Sequence, residues 1–411
     1  MPVRNRSAAS ITAIAVLALV GALYIRRQAL KKKKQEAEHA SEDNPPPTPH
    51  YQISILGDTF CDVVVQGIKN LPEWGTDALT DAPIELTPGG SACNSALQLA
   101  SLLRLFPLES HITPRVVLHT ALGDDSFGSF LREKIKAAVQ GQYVRISTSS
   151  SLEEASRKES SGSTPNKETT NATTGVCICL SGSEDRAFIT HRGVVATLSG
   201  DQLDVSTIYR SQFIHIAGYY NCPSLWRFLP GLLRDCQSRG IFTSLSPQCD
   251  ASGKWEGGIR DTLPHLDLIV PNEMEALAIS RENGIADACR YFVESGVKHV
   301  IVTLGAGGAF ASVKEGERRR EMRQTCPLKE IVDTTGAGDA FNAGVLYSLL
   351  TDFVKKIAAP GNGTRESWEW GQALRMGCAM GGHNVTKAGA SAPPRDQLEI
   401  IDNLKEIRCD V

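Results

Sequence analysis

One stretch near the C-terminal end limits what this chain can fold into. Residues 333–341 read Asp-Thr-Thr-Gly-Ala-Gly-Asp-Ala-Phe, between the β-prone residues 330–332 and an apolar, helix-like segment at 340–350. At a turn from a strand into a helix, glycines let the backbone approach a ligand closely, and the first N–H groups of the helix favour an anion. Asp339 would lie beside a phosphate held there, where a carboxylate can orient or deprotonate an attacking hydroxyl.

The plain alternative is a glycine-rich turn capped by an aspartate, because short motifs often occur by chance. The full nine-residue string is more specific, and it closely resembles the C-terminal signature of the PfkB carbohydrate kinases, also called ribokinase-like kinases. The resemblance implies that Asp339 is the catalytic base. It also implies that the backbone of Gly336, Ala337 and Gly338 forms an anion hole, and it makes Asp333 a substrate-binding candidate.

Composition restricts the class of protein. The chain has 411 residues, of which 41% are hydrophobic and 22% charged, and this describes a globular protein of one large or two ordinary domains. A net charge of -3 gives no reason to expect a nucleic-acid partner. The eleven cysteines lack C-x-x-C pairs and histidine companions, although Cys177 and Cys179 alternate in a strand-like run. This pattern predicts reduced thiols rather than a disulfide or zinc framework.

The N-terminal region contains an uncharged run, residues 7–25. As a helix this run would be roughly 28 Å long, about the thickness of the hydrocarbon core of a bilayer. Six basic residues follow it closely and two precede it, and positive charge collects on the cytoplasmic side of a membrane. We therefore predict a transmembrane segment within residues 1–27, a charged and proline-rich linker at 28–50, and a body in the cytosol. A cleaved signal peptide or an organelle-targeting segment is the rival interpretation.

The globular body begins with a strand-like run at 53–65 that is interrupted by Gly57-Asp58. An aspartate buried in such a run is normally paired or functional. Residues 88–96 then combine a glycine pair with a helix start, which by itself fits a turn with Ser91 as the N-cap. The same segment resembles the N-terminal signature of the PfkB kinases. The resemblance implies that the sugar is bound by Asp62, Gly89, Gly90 and Asn94.

The middle of the chain alternates between strand-like and helix-length segments. Residues 147–174 are rich in Ser, Thr, Glu and Lys without apolar periodicity, and we predict a disordered insertion there. Residues 175–180 and 186–191 look like a hairpin of the kind that completes the substrate side in PfkB kinases. The short apolar runs that follow imply parallel strands joined by right-handed crossovers. These runs are residues 213–217, 241–245 and 266–270.

Three further groups of residues acquire a role through the resemblance. Asn272 and Glu275 share a face of a helix start and by themselves fit a capping box. The PfkB kinases have an N-x-x-E motif there that positions magnesium and phosphate. The resemblance assigns the nucleotide side to a strand and glycine turn that include Thr303, Gly305 and Gly307. Relatives that use a monovalent cation hold it in a region that corresponds here to Asp333, Thr335, Gly389 and Ser391.

The sequence as a whole predicts a three-layer α-β-α ribokinase-like fold over residues 51–405, with a mostly parallel central sheet and a small β-rich lid. Ligands in such folds bind at the C-terminal ends of the strands. The activity implied is ATP-dependent phosphorylation of a hydroxyl on a sugar or sugar-like compound, with Mg²⁺ and, as in some relatives, K⁺. A nucleoside kinase of the adenosine type and a non-catalytic, membrane-tethered scaffold are the alternatives. Homodimerisation through the lid is a further expectation.

Overall fold

The structure is a computed structural model. The residues it describes are 51–68, 70–108, 114–138, 144–147, 172–182, 186–326, 331–358, 368–387, 389, 393–407 and 409–410. The predicted transmembrane segment, the predicted linker and the centre of the predicted insertion lie outside these residues. Within them, no helix has the length and apolar character needed to cross a membrane.

Parallel strands organise the larger of two sheets in the described part of the chain. The fourteen strands among the described residues are β1 Gln52–Gly57, β2 Phe60–Ile68, β3 Glu85–Gly89, β4 Arg115–His119, β5 Val144–Ser147, β6 Val176–Gly182, β7 Arg186–His191, β8 Phe213–Ala217, β9 Phe242–Ser246, β10 Leu268–Ile269, β11 His299–Thr303, β12 Ala309–Glu315, β13 Arg318–Gln324 and β14 Cys409–Asp410. The larger sheet has the order β14-β13-β12-β11-β10-β9-β8-β1-β4-β5. Its strands run parallel from β11 to β5 and antiparallel at the β12–β14 edge.

Helices connect these parallel strands. The described helices are α1 Ser91–Leu105, α2 Ser126–Ala138, α3 Val205–Ile208, α4 Leu229–Ser238, α5 Ile259–Thr262, α6 Glu273–Ser280, α7 Ile285–Glu294, α8 Ala337–Ala358, α9 Trp370–Asn384 and α10 Gln397–Glu406. Every residue of β8 and of β9 is buried, as expected for central strands that are covered on both faces. One large apolar cluster includes Leu56, Ile214, Leu245 and Phe292. The predicted α/β fold with a mostly parallel sheet and a small separate sheet is therefore confirmed.

The smaller sheet, which we call the lid, has the order β3-β2-β6-β7. Its β6 and β7 form the predicted antiparallel hairpin, and β2 pairs with β6 in parallel. The strand-like run at 53–65 is divided between the two sheets, because β1 ends at Gly57 and β2 begins at Phe60. A Cβ on Gly57 would lie 1.8 Å from the Ala217 carbonyl oxygen, so only glycine allows this close packing of the chain as it leaves the larger sheet.

Two predicted segments differ from the structure. Residues 331 and 332, expected to belong to a strand before the glycine motif, have no strand conformation; the backbone N–H of Val332 instead donates to the carbonyl of Val385 at 2.8 Å. The predicted insertion 147–174 overlaps ordered structure at both ends, since Ser147 ends β5 and Thr174 is buried. The Thr174 hydroxyl donates to Asp125 Oδ1 at 2.6 Å, a tertiary contact that composition does not reveal.

Candidate active site

The carboxylate of Asp339 lies where the first turns of α1 and α8 meet. Asp339 is in the first turn of α8. The Ser91 hydroxyl donates to its Oδ1 at 2.5 Å, and the Asn94 side-chain amide donates to its Oδ2 at 2.9 Å. Both donors belong to α1, so the two motifs that were predicted separately from the sequence meet at this one carboxylate.

The electrostatic surroundings of Asp339 suit a proton acceptor. Burial raises its pKa to about 7, the hydrogen bonds from Ser91 and Asn94 act in the opposite direction, and the charge of Asp58 raises it further. A carboxyl group with a pKa near 7 is about half ionised at neutral pH, and a pKa close to the working pH is the value that suits a general base. The donors fix its orientation while both of its oxygens remain acceptors.

The interpretation of Ser91 as an N-cap is not what the structure shows. Gly90 occupies the N-cap position of α1 with φ 90°, and Ser91 turns its hydroxyl towards Asp339. Asp58 caps the helix instead, because its Oδ1 accepts the Ala92 N–H at 3.0 Å. Its Oδ2 accepts the Asn221 side-chain amide at 2.7 Å, and burial raises the pKa of this carboxyl. Asp58 thus anchors the start of α1 to the turn that follows β8.

The glycine pair before α1 allows two close backbone contacts. A Cβ on Gly90 would lie 2.8 Å from the Asp58 carbonyl oxygen, at a positive φ that favours glycine. A Cβ on Gly89 would lie 2.1 Å from the Asp62 carboxyl carbon. The glycine pair therefore leaves room for the Asp62 side chain, in addition to any contact with a ligand.

Asp62 is the predicted substrate-binding acid, and it projects from the lid strand β2. Its register partner on β6 is Cys177. Asp62 is 4% exposed, and within the described part of the chain its carboxylate forms no hydrogen bond. Burial raises its pKa to about 8, and the charges of Cys177, Asp58 and Asp339 add to this effect. An acid without a protein partner so close to Asp339 is available to a ligand.

The predicted anion hole, residues 336–338, forms the turn that opens α8. Gly336 has φ +74°, and a Cβ on Gly338 would meet no atom within 4 Å. The turn is thus open on its outer side, and the N-terminus of a 22-residue helix lies directly behind it. These are the properties of a helix N-terminus that can accept a phosphate.

Asn272 and Glu275 form the capping box that was the plain interpretation of their spacing. The Asn272 side chain accepts the Glu275 N–H at 2.9 Å, and the Glu275 carboxylate accepts the Asn272 N–H at 3.0 Å. Burial raises the pKa of Glu275 to about 7; the Asn272 N–H lowers it, and the charge of Asp339 raises it. Thr303 lies beside them, its N–H bound to the Pro271 carbonyl at 3.0 Å.

The remaining nucleotide-side candidates follow β11 in an open turn. A Cβ on Gly305 would meet no atom within 4 Å, whereas one on Gly307 would lie 3.3 Å from Leu304. Four carboxyl groups of the site, those of Asp58, Asp62, Glu275 and Asp339, have a raised pKa. Carboxyl oxygens are the ligands that a hard divalent cation such as Mg²⁺ prefers, and a bound cation would favour their ionised form. Both oxygens of Glu275 already accept hydrogen bonds from Asn272, so this pair fits contact with Mg²⁺ through water.

The candidates for a monovalent cation site are brought together, but a guanidinium already contacts them. Arg186 on β7 donates to Asp333 Oδ1 at 3.2 Å and also to the Thr335 hydroxyl. Asp333 accepts further hydrogen bonds from the Thr335 N–H at 2.8 Å and the Gly389 N–H at 3.0 Å. Burial alone would raise the pKa of Asp333, but these donors and the charge of Arg186 lower it below its usual value.

This arrangement does not fit potassium, because the Asp333 carboxylate is satisfied by a charge that belongs to the chain itself. It also leaves Asp333 little capacity to bind a substrate. Ser391, the fourth candidate, lies outside the described residues. Arg186 was missed in the sequence because its partners are 147 and 149 residues away; the only signal was its position at the start of the predicted hairpin strand.

Comparison with known proteins gives a consistent family. A family model described as pfkB family carbohydrate kinase matches residues 147–397, more than half of the chain. The match begins after Asp62, Gly90 and Asn94, so the structure connects these residues to the matched region through the contact between Asn94 and Asp339.

Two curated relatives and one solved structure illustrate the similarity. Ribokinase of Haemophilus influenzae is 32% identical over 151 residues, which cover 35% of this chain and 43% of that protein. Aminoimidazole riboside kinase of Salmonella typhimurium is 26% identical over 237 residues, which cover 56% of this chain and 66% of the relative. The alignments therefore span only part of these relatives. A chain from Escherichia coli, solved in complex with ATP and Mg²⁺, has a TM-score of 0.61 at 19% identity and covers 86% of this chain and 99% of its own.

Proposed function

The chain belongs to the pfkB family of carbohydrate kinases, and on this premise we propose that it transfers the terminal phosphoryl group of ATP to a hydroxyl of a sugar or sugar-like compound. The observation that carries the proposal is the Asp339 carboxylate. It is held by Ser91 and Asn94 at the open N-terminus of α8, and its pKa is raised to about 7. This is the arrangement expected of a base that acts beside a bound phosphate.

The chain's own groups divide the reaction between them. Asp339 accepts the proton of the acceptor hydroxyl while the hydroxyl oxygen forms the new bond to the terminal phosphorus of ATP. The bond between that phosphorus and the bridging oxygen breaks, and ADP leaves with its electrons. The N–H groups at 336–338 and the start of α8 stabilise the negative charge of the phosphoryl group during transfer. Magnesium, when bound, neutralises phosphate charge and aligns the nucleotide. Asn272 and Glu275 would hold it through water.

The acceptor is proposed to bind between the lid and α1. Asp62 is buried without a hydrogen-bond partner in the described residues, and Asn94 Oδ1 is likewise buried and unpartnered there. An unsatisfied buried oxygen such as Asn94 Oδ1 is costly, and a sugar hydroxyl would satisfy it. A nucleoside acceptor presents similar ribose hydroxyls, and the riboside kinase among the relatives supports keeping this second candidate.

A panel of sugars and nucleosides with coupled detection of ADP tests the proposal and separates the two acceptor classes. Turnover with a hexose or pentose but not with nucleosides supports the carbohydrate kinase, and the opposite pattern supports the nucleoside kinase. A protein that binds ATP but turns over with neither class would favour the non-catalytic scaffold, against which the intact Asp339 and its donors argue.

We also propose that residues 7–25 anchor the protein in a membrane with the kinase body on the cytosolic side; the support comes from the sequence alone. Fractionation of a C-terminally tagged protein, with carbonate washing and protease added to intact vesicles, tests this. A full-length, carbonate-resistant and protease-sensitive body supports the anchor. A shortened, soluble and protected body would refute it.

Homodimerisation through the lid is the last part of the proposal. The outer strands of the lid carry exposed apolar side chains, Leu86 at 44%, Phe188 at 50% and Ile189 at 60% exposure. Contiguous exposed apolar patches mark protein–protein contacts, and a dimer formed through the lid would cover these side chains. Sedimentation equilibrium of the protein and of Phe188→Ser would show a dimer that the substitution dissociates; a monomer at all concentrations would exclude this interface.

A further inference from the structure

A cluster of three side chains on the lid can do more than bind a sugar. Asp62 on β2 is opposite Cys177 on β6, and Cys179 follows two residues later on the same face of that strand. One ligand atom from each of the three residues lies within 4.8 Å of the other two, and all three residues are buried. The two Sγ atoms are 3.8 Å apart. Two thiols and a carboxylate therefore converge on one small volume.

The spacing of the two sulfurs matches that of metal-bound thiolates. Zn²⁺ binds cysteine sulfur at about 2.3 Å in tetrahedral geometry, and two such bonds hold their sulfurs about 3.8 Å apart. The distance between Cys177 Sγ and Cys179 Sγ already has this value. A Zn²⁺ ion could thus bind both sulfurs with little movement of β6.

Asp62 supplies the third ligand, and it is a second, independent indication of a site. Its side chain is buried, points into the cluster and has no hydrogen-bond partner in the described part of the chain. A buried carboxylate without a partner is costly, and a cation would remove that cost. Three protein ligands would leave the fourth tetrahedral position open to water.

We propose that Asp62, Cys177 and Cys179 form a binding site for a thiophilic divalent cation, with Zn²⁺ as the fitting ion, and that the bound ion excludes the acceptor from its pocket. Each cysteine binds as a thiolate and Asp62 as a carboxylate, and the protons that these three groups lose pass to solvent. Exclusion follows because Asp62 cannot serve the ion and a sugar hydroxyl at once. Cation binding stands independently of the proposed kinase activity, whereas exclusion of the acceptor rests on it.

Cobalt substitution in the full chain tests the site without any measurement of activity. The protein is kept reduced with a non-chelating phosphine and titrated with Co²⁺. We expect one equivalent to give the near-ultraviolet thiolate-to-cobalt absorption and the visible bands of tetrahedral coordination, and Zn²⁺ to displace it. Absence of the thiolate absorption at saturating Co²⁺ would overturn the proposal.

Variants then identify the ligands. Cys177→Ser and Cys179→Ser should each weaken Zn²⁺ binding by more than about 10-fold, because even outer partners of metal ligands contribute 10- to 100-fold. Cys61→Ser is the matched control: Cys61 is a buried thiol on the same strand as Asp62, but its side chain points to the opposite face of the sheet. If either serine variant fails to fold, Asp62→Asn provides the independent test. We expect it to bind the metal ion more weakly and to retain the thiolate-to-cobalt absorption. Equal loss in Cys61→Ser would overturn the assignment.

Kinetics test the exclusion of the acceptor. With an acceptor from the panel, Zn²⁺ should raise the acceptor KM and leave kcat unchanged, and this effect should disappear in Cys179→Ser at the same Zn²⁺ concentration. Sulfur-bound Co²⁺ with an unchanged acceptor KM would overturn the exclusion alone. If no acceptor is turned over, the proposed kinase activity fails, and the cobalt titration still decides whether the site exists.

Discussion

Replacing Asp62 by asparagine should change how stability depends on pH. The pKa of this carboxyl is about 8 in the folded protein against an ordinary 3.8, mainly because the group is buried. A raised folded pKa contributes stability at low pH, and this stability is lost as the pH rises towards the folded pKa. Between pH 5 and pH 7 the folded state holds nearly one more proton at this position than the unfolded state. The free energy of unfolding therefore falls by about 1.3 kcal/mol per pH unit, or roughly 2.5 kcal/mol over the interval.

An asparagine side chain cannot ionise, so this share of the pH dependence should vanish in Asp62→Asn. Urea unfolding of the ligand-free protein at pH 5, 6 and 7, followed by tryptophan fluorescence, measures the slope for both proteins. Asp204→Asn is the control: hydrogen bonds lower the pKa of Asp204, so this group is ionised in both states over the interval. Parallel curves for the wild type and Asp62→Asn would refute the inference that Asp62 is buried as an unpartnered acid.

Three further predictions concern catalysis and folding. Because Asp339 must be ionised to act, kcat/KM should fall about tenfold per pH unit below pH 7. Ser91→Ala should move this acidic limb of the pH profile to higher pH, since it removes a donor that lowers the Asp339 pKa. An acidic limb at the same pH in both proteins would contradict the assigned role of the Ser91 hydrogen bond. Potassium should change wild-type turnover by less than about 2-fold. Arg186→Gln should either acquire potassium dependence or lose activity, because the Asp333 charge is then unpaired. Strong potassium stimulation of the wild type would contradict the inference that Arg186 takes the place of a potassium ion beside Asp333. Replacing residues 148–171 by a short Gly/Ser loop should leave turnover and stability nearly unchanged, since loop closure costs little, and collapse of either would show that the segment packs on the body.

That separate motifs contribute residues to one site could be predicted from the sequence, because each motif indicates its own local structure. Glycines followed by an acid predict a turn into a helix, and the parallel strands place such turns at one edge of the sheet. Asn94 and Asp339 were assigned to the substrate and to catalysis from motifs 245 residues apart, and the structure joins them by a hydrogen bond. The capping box at 272–275 was also evident from spacing alone.

Other features depend on tertiary contacts that periodicity does not encode. The run at 53–65 was predicted as one strand-like segment interrupted by Gly57-Asp58, yet the contact between Gly57 and Ala217 ends β1 there and the chain continues into the lid. Ser91 could cap its helix or face Asp339, and only the position of α8 decides between them. Arg186 reaches Asp333 across a long separation in the chain, so nothing local indicated that a guanidinium would occupy the candidate cation site.

The central claim is that Asp339 is the base in phosphoryl transfer. The direct measurement is turnover by the wild type and Asp339→Asn at saturating ATP and acceptor, together with calorimetric binding of ATP to both. Asparagine keeps the size of the side chain but cannot accept the proton, so we expect kcat to fall by about 10²–10⁴-fold, with ATP affinity and thermal unfolding little changed. Near wild-type turnover in Asp339→Asn would contradict the account.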